Sequence, residues 1–133
     1  MKKVIYLMSL ALIAIAIVAC SSPKKNSPEG VVNSYLKAMQ KNDARAALEL
    51  FHFSKNLTDQ EFDEYVQMVD DKVVKQNEKK QGIASWEIGE VEMAEDGQSA
   101  VVNYTIKYGD GTEQKDKQKT VLVDGKWMLD SGK

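Results

Sequence analysis

Residues 94–127 read AEDGQSAVVNYTIKYGDGTEQKDKQKTVLVDGKW, and three Asp-Gly pairs punctuate them: Asp96-Gly97, Asp110-Gly111 and Asp124-Gly125. An Asp-Gly pair between extended runs supplies the positive φ angles of a tight primed turn, the strongest short-range hairpin signal. Three hairpins in series predict a four-stranded antiparallel meander. Ala100, Val102, Tyr104, Ile106 and Tyr108 alternate strictly, so they share the face turned to the core. In the strand before them, Trp86 and Ile88 fall on even positions but Val91 and Met93 on odd ones. One extra residue near Gly89-Glu90 restores the face, which predicts a β-bulge that bends the strand. The third strand is polar from Thr112 to Lys119, with Lys115, Lys117 and Lys119 on a common face expected to stand in solvent. It turns apolar at Val121, Leu122 and Val123, and Trp127-Met128-Leu129 form a short fourth strand.

Upstream the period changes from two to 3.6. Ser27-Pro28-Glu29 can cap and open a helix whose Val31, Val32, Tyr35, Leu36 and Met39 lie on one face. Asn42-Asp43 interrupts and re-caps the chain, and Ala44, Ala47, Leu48 and Phe51 make the stripe of a second, short helix. A third helix follows, with Thr58 and Glu61 as a capping box and Leu57 and Phe62 as a hydrophobic staple. Its expected buried stripe is Phe62, Tyr65, Val66, Val69 and Val73, and Gly82 is its stop. At about 1.5 Å per residue it is roughly 30 Å long. Helices followed by a bent antiparallel sheet give an α+β, cone-like domain with the helices on one sheet face. Its inward set is expected to be Tyr35, Phe51, Phe62, Tyr65, Val69, Trp86, Tyr104, Ile106 and Trp127, with Trp127 in the core beside the long helix.

The N-terminus bears on compartment. Met1-Lys2-Lys3 is a basic start, and from Val4 to Ala19 the chain is apolar apart from Ser9. That run is short for a membrane span, which takes about 20 residues, and has the flanks of an export signal. Ile17-Val18-Ala19-Cys20 resembles the lipobox of bacterial lipoproteins, in which the chain is cut between Ala19 and Cys20 and the cysteine is acylated. Cys20 is the only cysteine, so no intrachain disulfide can form. The expected organisation is a signal peptide over residues 1–19, a lipidated polar tether over 20–26 and one domain over 27–133. Without the two signal lysines, 16 basic side chains face 20 acidic ones. That balance carries no nucleic-acid footprint. The expected partner is a membrane, reached through the acylated Cys20. In a Gram-negative cell this is the outer membrane, facing the periplasm; in a Gram-positive cell it is the outer face of the cell membrane.

The segments Ser27-Pro28-Glu29-Gly30-Val31-Val32, Tyr35-Leu36-Lys37-Ala38 and Asp43 to Phe51 resemble a family of small bacterial lipoproteins. So do Tyr108-Gly109-Asp110-Gly111 and Val123-Asp124-Gly125-Lys126-Trp127. That family carries a domain of unknown function, once labelled lumazine-binding, of the nuclear transport factor two-like (cystatin-like) superfamily. The resemblance covers Ser27 to about Asp130. It implies the cone-shaped fold and no function, because one fold hosts many functions, and the lumazine label carries over onto no residue here.

Catalytic machinery is expected to be absent. Enzymes of this superfamily place an acidic base, or an Asp–His pair, inside the cone, and the inward set above holds none. His52 is the sole histidine and reads as an exposed or capping residue between Phe51 and Phe53; one histidine makes no metal site, and the only cysteine it could pair with is Cys20, the expected acyl acceptor. Gly109-Asp110-Gly111 lacks the Lys-Ser/Thr of a phosphate loop and the ligand series of a calcium loop. No cofactor or metal is expected. What remains is a non-catalytic binding or interaction module for a small apolar or aromatic ligand, or for an envelope protein. Its pocket is expected to be lined by Tyr35, Tyr65, Trp86, Tyr104 and Trp127, with phenolic hydroxyls as the only polar handles. The alternative is an isomerase- or hydratase-like enzyme whose site the sequence does not reveal.

Overall fold

Ser27 opens the first helix as its spacing predicts. Its Oγ accepts from the Gly30 N–H at 3.0 Å, and α1 runs Pro28–Gln40. The computed structural model describes residues 24–132; the expected signal segment 1–19, its closing Ala19 and the acyl acceptor Cys20 lie outside the described residues. Val31, Val32, Leu36 and Met39 of α1 are buried. Asp43 caps α2, Ala44–Leu48, by accepting from the Ala46 N–H at 3.1 Å.

The apolar stripe of α2 stops at Leu48, short of Phe51. Phe51-His52 instead form a two-residue strand, β1. An apolar residue at helical spacing and one in an extended segment can both point inward, so periodicity alone cannot separate them. Tertiary pairing decides. The Leu129 N–H donates to the Leu50 carbonyl at 2.8 Å, and Phe51 and His52 lie parallel to Leu129 and Asp130.

The capping box forms around α3, Asp59–Val69. The Glu61 N–H donates to Thr58 Oγ1 at 3.1 Å, and the Thr58 N–H donates to Glu61 Oε1 at 3.0 Å. That amide, with Lys55 Nζ at 3.0 Å, holds the Glu61 carboxyl below the usual range. A depressed carboxyl adds stability above its unfolded value, near 4.3, and loses it as pH falls. The stability gap between the protein and Glu61→Gln should therefore shrink as the pH is taken below about 4. Denaturant midpoints measured across that range, with a gap independent of pH, would remove this role.

After α3 the helix does not continue in α form. Asp70–Val74 make one π-helical turn before α4, Lys75–Lys79. An i→i+5 turn holds an extra residue, so the inward face moves on by one position. Val73, expected inside, is 39% exposed, while Val74 and Asn77 are buried. In α3 itself Phe62, Tyr65, Val66 and Val69 are only half-buried.

The helix ends with Gln81 and Gly82 at φ 67° and 75°. The Gly109 N–H donates to the Gly82 carbonyl at 2.8 Å, and the Asp110 N–H to that of Lys80 at 3.0 Å. A Cβ on Gly109 would overlap the Gln81 carbonyl, so this contact needs glycine. The clamp fixes the end of α4 over the turn between two strands.

The sheet contains β2 (Ile83–Met93), β3 (Ser99–Tyr108), β4 (Glu113–Val123) and β5 (Lys126–Asp130) in the order β1-β5-β4-β3-β2. The expected four-stranded antiparallel meander is present as β2 to β5, but parallel β1 makes the sheet five-stranded and mixed. The β2–β3 register shifts between Ile88 and Val91, at the predicted bulge. Only Asp124-Gly125 is a two-residue turn with both φ angles positive. At the other two pairs the Asp side chain accepts from the N–H two residues on, Gln98 or Thr112, both at 2.9 Å, and the loops are longer. Buried Val102, Tyr104 and Ile106 of β3 meet α1 in the core with Leu129 of β5. Trp127, expected in the core, is half-buried at its edge.

Candidate binding site

Strand β3 sends Tyr104 and Tyr108 to the same side of the sheet, toward Tyr35 of α1. In the β3–β4 register Asp116 lies opposite Tyr104, and Gln114 opposite Ile106. The Gly109 clamp and the π turn bring Asn77 over the same place. Together these side chains, with Met39, Val73 and Ile83, line a cavity of about 110 Å³.

Its polar groups are unevenly satisfied. Tyr108 Oη donates to Gln114 Oε1 at 3.4 Å. Lys80 Nζ donates to the same oxygen at 3.4 Å and lies 4.6 Å from the centre of the Tyr108 ring. Asp116 stands exposed at the mouth, its Oδ1 accepting from the Lys117 N–H at 2.8 Å. Asn77 and Tyr104 are each only 8% exposed. Neither the Asn77 amide nor the Tyr104 hydroxyl has a hydrogen-bond partner among the described residues. A buried polar group left unpaired costs about 1–3 kcal/mol.

Burial, and then the Asp116 charge, raise the ionisation of Tyr35, Tyr104 and Tyr108 above the ordinary tyrosine value. These hydroxyls therefore stay protonated at neutral pH and can donate. Because the folded values are raised, their contribution to stability is full below about pH 10 and declines as pH climbs beyond it. Phenolate absorbance should rise later in the native protein than in urea. Superimposed titration curves would contradict the burial of this cluster.

Of the five residues expected to line a pocket, the structure brings Tyr35 and Tyr104 together here. Tyr65 lies apart because an aromatic chain fills the intervening space: Tyr35 meets Phe51 at 5.7 Å, Phe51 meets Phe53 at 6.4 Å, and Phe53 meets Tyr65 at 5.4 Å between ring centres. Trp86 is half-buried on β2, its indole N–H donating to Asn33 Oδ1 at 2.9 Å. Trp127 sits by the last turn, where its amide N–H donates to Asn26 Oδ1 at 2.8 Å. The expectation that phenols are the only polar handles is corrected by Asn77, Gln114 and Asp116. Gln114 and Asp116 carried only a partial signal: they alternate with the lysines of β4, but a two-residue turn at Asp110-Gly111 would set Lys117 across from Tyr104, and it is the longer loop that brings Asp116 there. Asn77 carried none, because a π turn leaves no mark in the apolar period.

A larger depression of about 440 Å³ beside β1, bordered by Phe51, His52, Phe53, Phe62 and Met128, is open to solvent and gathers no buried unpaired polar group. Among the described residues no group of three or more His, Cys, Asp and Glu side chains converges as for a metal ion. No described helix is long and apolar enough to cross a membrane.

Among solved structures, a Campylobacter jejuni protein provisionally described as an NTF2-like transpeptidase superposes with a TM-score of 0.64. It is 18% identical, over 78% of this chain and 97% of that one. The fold is NTF2-like. At that identity the NTF2-like likeness concerns architecture alone and carries no activity across. The intermembrane-space region of the chloroplast protein ARC6 and a provisionally described polyketide cyclase from Xanthomonas campestris match more weakly, at TM-scores of 0.42 and 0.35. No family model matches the sequence, and neither does any curated protein.

Proposed function

We propose that the protein is an exported lipoprotein whose NTF2-like domain holds a small ligand close to its membrane without transforming it. The observation that carries this reading is the tyrosine cavity, with buried Asn77 and Tyr104 unpaired in its wall. A ligand bearing hydrogen-bonding atoms would relieve both. Its volume lies below the roughly 300–1,000 Å³ of sites for drug-sized molecules, which favours a ligand of a few heavy atoms over the flat aromatic first expected.

Absence of turnover is supported by the chemistry of the lining. The enzyme alternative calls for a buried acid acting as base, whereas Asp116 is exposed and the tyrosines hold their protons more firmly than usual. Anchoring is supported by the lipobox-like ending at Cys20. The domain is pinned from Asn26 onward, whose side chain bonds Gly125 and Trp127 at 3.0 and 2.8 Å. Six residues of tether reach on the order of 20 Å, so the domain would ride near the bilayer.

The test is an NMR screen of small polar compounds against the full chain in detergent. Shifts confined to Asn77, Tyr104 and Tyr108, abolished in Asn77→Leu, are the expected result. Formation of product from an isomerase or hydratase substrate, lost in Asp116→Asn, would replace binding with catalysis.

A further inference from the structure

We infer that the tyrosine cavity is a site for a small primary alkylammonium ion, an inference that rests on the binding reading above and names its ligand class. The lining offers ring faces, hydroxyls, two amide side chains and the Asp116 carboxylate, and none of its residues is basic. An anion entering it would face Asp116. A neutral apolar molecule would leave Asn77 and Tyr104 unpaired, at the full desolvation penalty of each. An ammonium group supplies three N–H donors to the Asn77 side-chain Oδ1, the Tyr104 oxygen and the Asp116 carboxylate, and is attracted by aromatic faces.

The molecule already displays this preference at the rim. The Lys80 ammonium rests over the Tyr108 ring, 4.6 Å from its centre, and donates to Gln114 Oε1 at 3.4 Å. The Lys80 backbone is held independently of its side chain, its N–H donating to the Asn77 carbonyl and its carbonyl accepting from Asp110, both at 3.0 Å, so the side chain can leave without loosening the clamp. It is a resident competitor from the protein itself. The cavity's 110 Å³ equals roughly four times a water molecule's share of liquid volume, which suits an ion of ethylammonium size.

The experiment titrates the full chain in detergent with ethylammonium chloride, and separately with ethanol, a neutral molecule with as many heavy atoms. Ionic strength is held constant, and NMR shifts at Asn77 and Tyr104 are the readout. Ethylammonium should saturate and ethanol should not. Asp116→Asn, a change at an exposed position, should weaken the ion several-fold. Lys80→Met should tighten it several-fold by removing the competitor. Equal response to ethanol and ethylammonium, untouched by Asp116→Asn, would overturn the charge assignment and leave small-ligand binding standing. Silence to both compounds, and to the wider screen, in the protein and in Lys80→Met would overturn the two together.

Discussion

Replacing Leu129 with alanine is expected to cost about 2–5 kcal/mol, the range for a fully buried leucine whose cavity cannot collapse. Leu129 is 0% exposed and is the residue on which the sheet edge depends. Its side chain joins α1 and β3 in the core, while its backbone bonds Leu50 and pairs with both Phe51 and Thr120. In a domain of this size each kcal/mol moves the melting temperature by about 4–8 °C, so a drop on the order of 10 °C or more is expected. Trp127→Ala, at a half-buried position, should cost less, although the sequence alone points to Trp127 as the core anchor. Thermal melts of the two variants decide between them. A larger loss at Trp127 than at Leu129 would reverse the order of burial.

Cys20→Ala is expected to abolish acylation completely, since no second thiol exists in the chain. The variant should accumulate unprocessed, with its signal segment attached. Membrane fractionation is a poor measure, because an uncleaved apolar segment also partitions into lipid. Incorporation of a labelled fatty acid is the direct one. Equal label in protein and variant would place the acyl group elsewhere and end the lipoprotein reading.

Much of the architecture was legible because local chemistry and tertiary structure agree. Thr58 and Glu61 announce a helix start, Ala100 to Tyr108 announce a half-buried strand, and the odd-even slip around Gly89 announces the bulge. Phe51 is ambiguous in the sequence because its apolar side chain satisfies two periods at once, and only pairing with Leu129 separates them. Tyr104 and Tyr35 were recognisable as inward aromatics. Asp116 is inconspicuous because the lysines around it give β4 the look of a wholly solvated strand, although its parity opposes theirs. The sequence places Tyr65 in the same pocket because a pattern gives the face of a side chain and not what stands between two faces. Here Phe51 and Phe53 stand between them.

The π turn at Asp70–Val74 has the form that a single inserted codon leaves in a helix. Both ends of the segment are fastened, one by the Thr58 cap and the other by Gly82 against Gly109. Deleting Lys72 would let α3 and α4 fuse into one regular helix, and the two halves would then be out of phase by about 100°. Either Asn77 swings away from Tyr104, or the half-buried stripe of Phe62, Tyr65, Val66 and Val69 rolls outward. A one-residue deletion thus forces the chain to choose which half keeps its seat, and the surplus residue acts as the setting screw that lets a half-buried helix and a binding wall share one continuous rod.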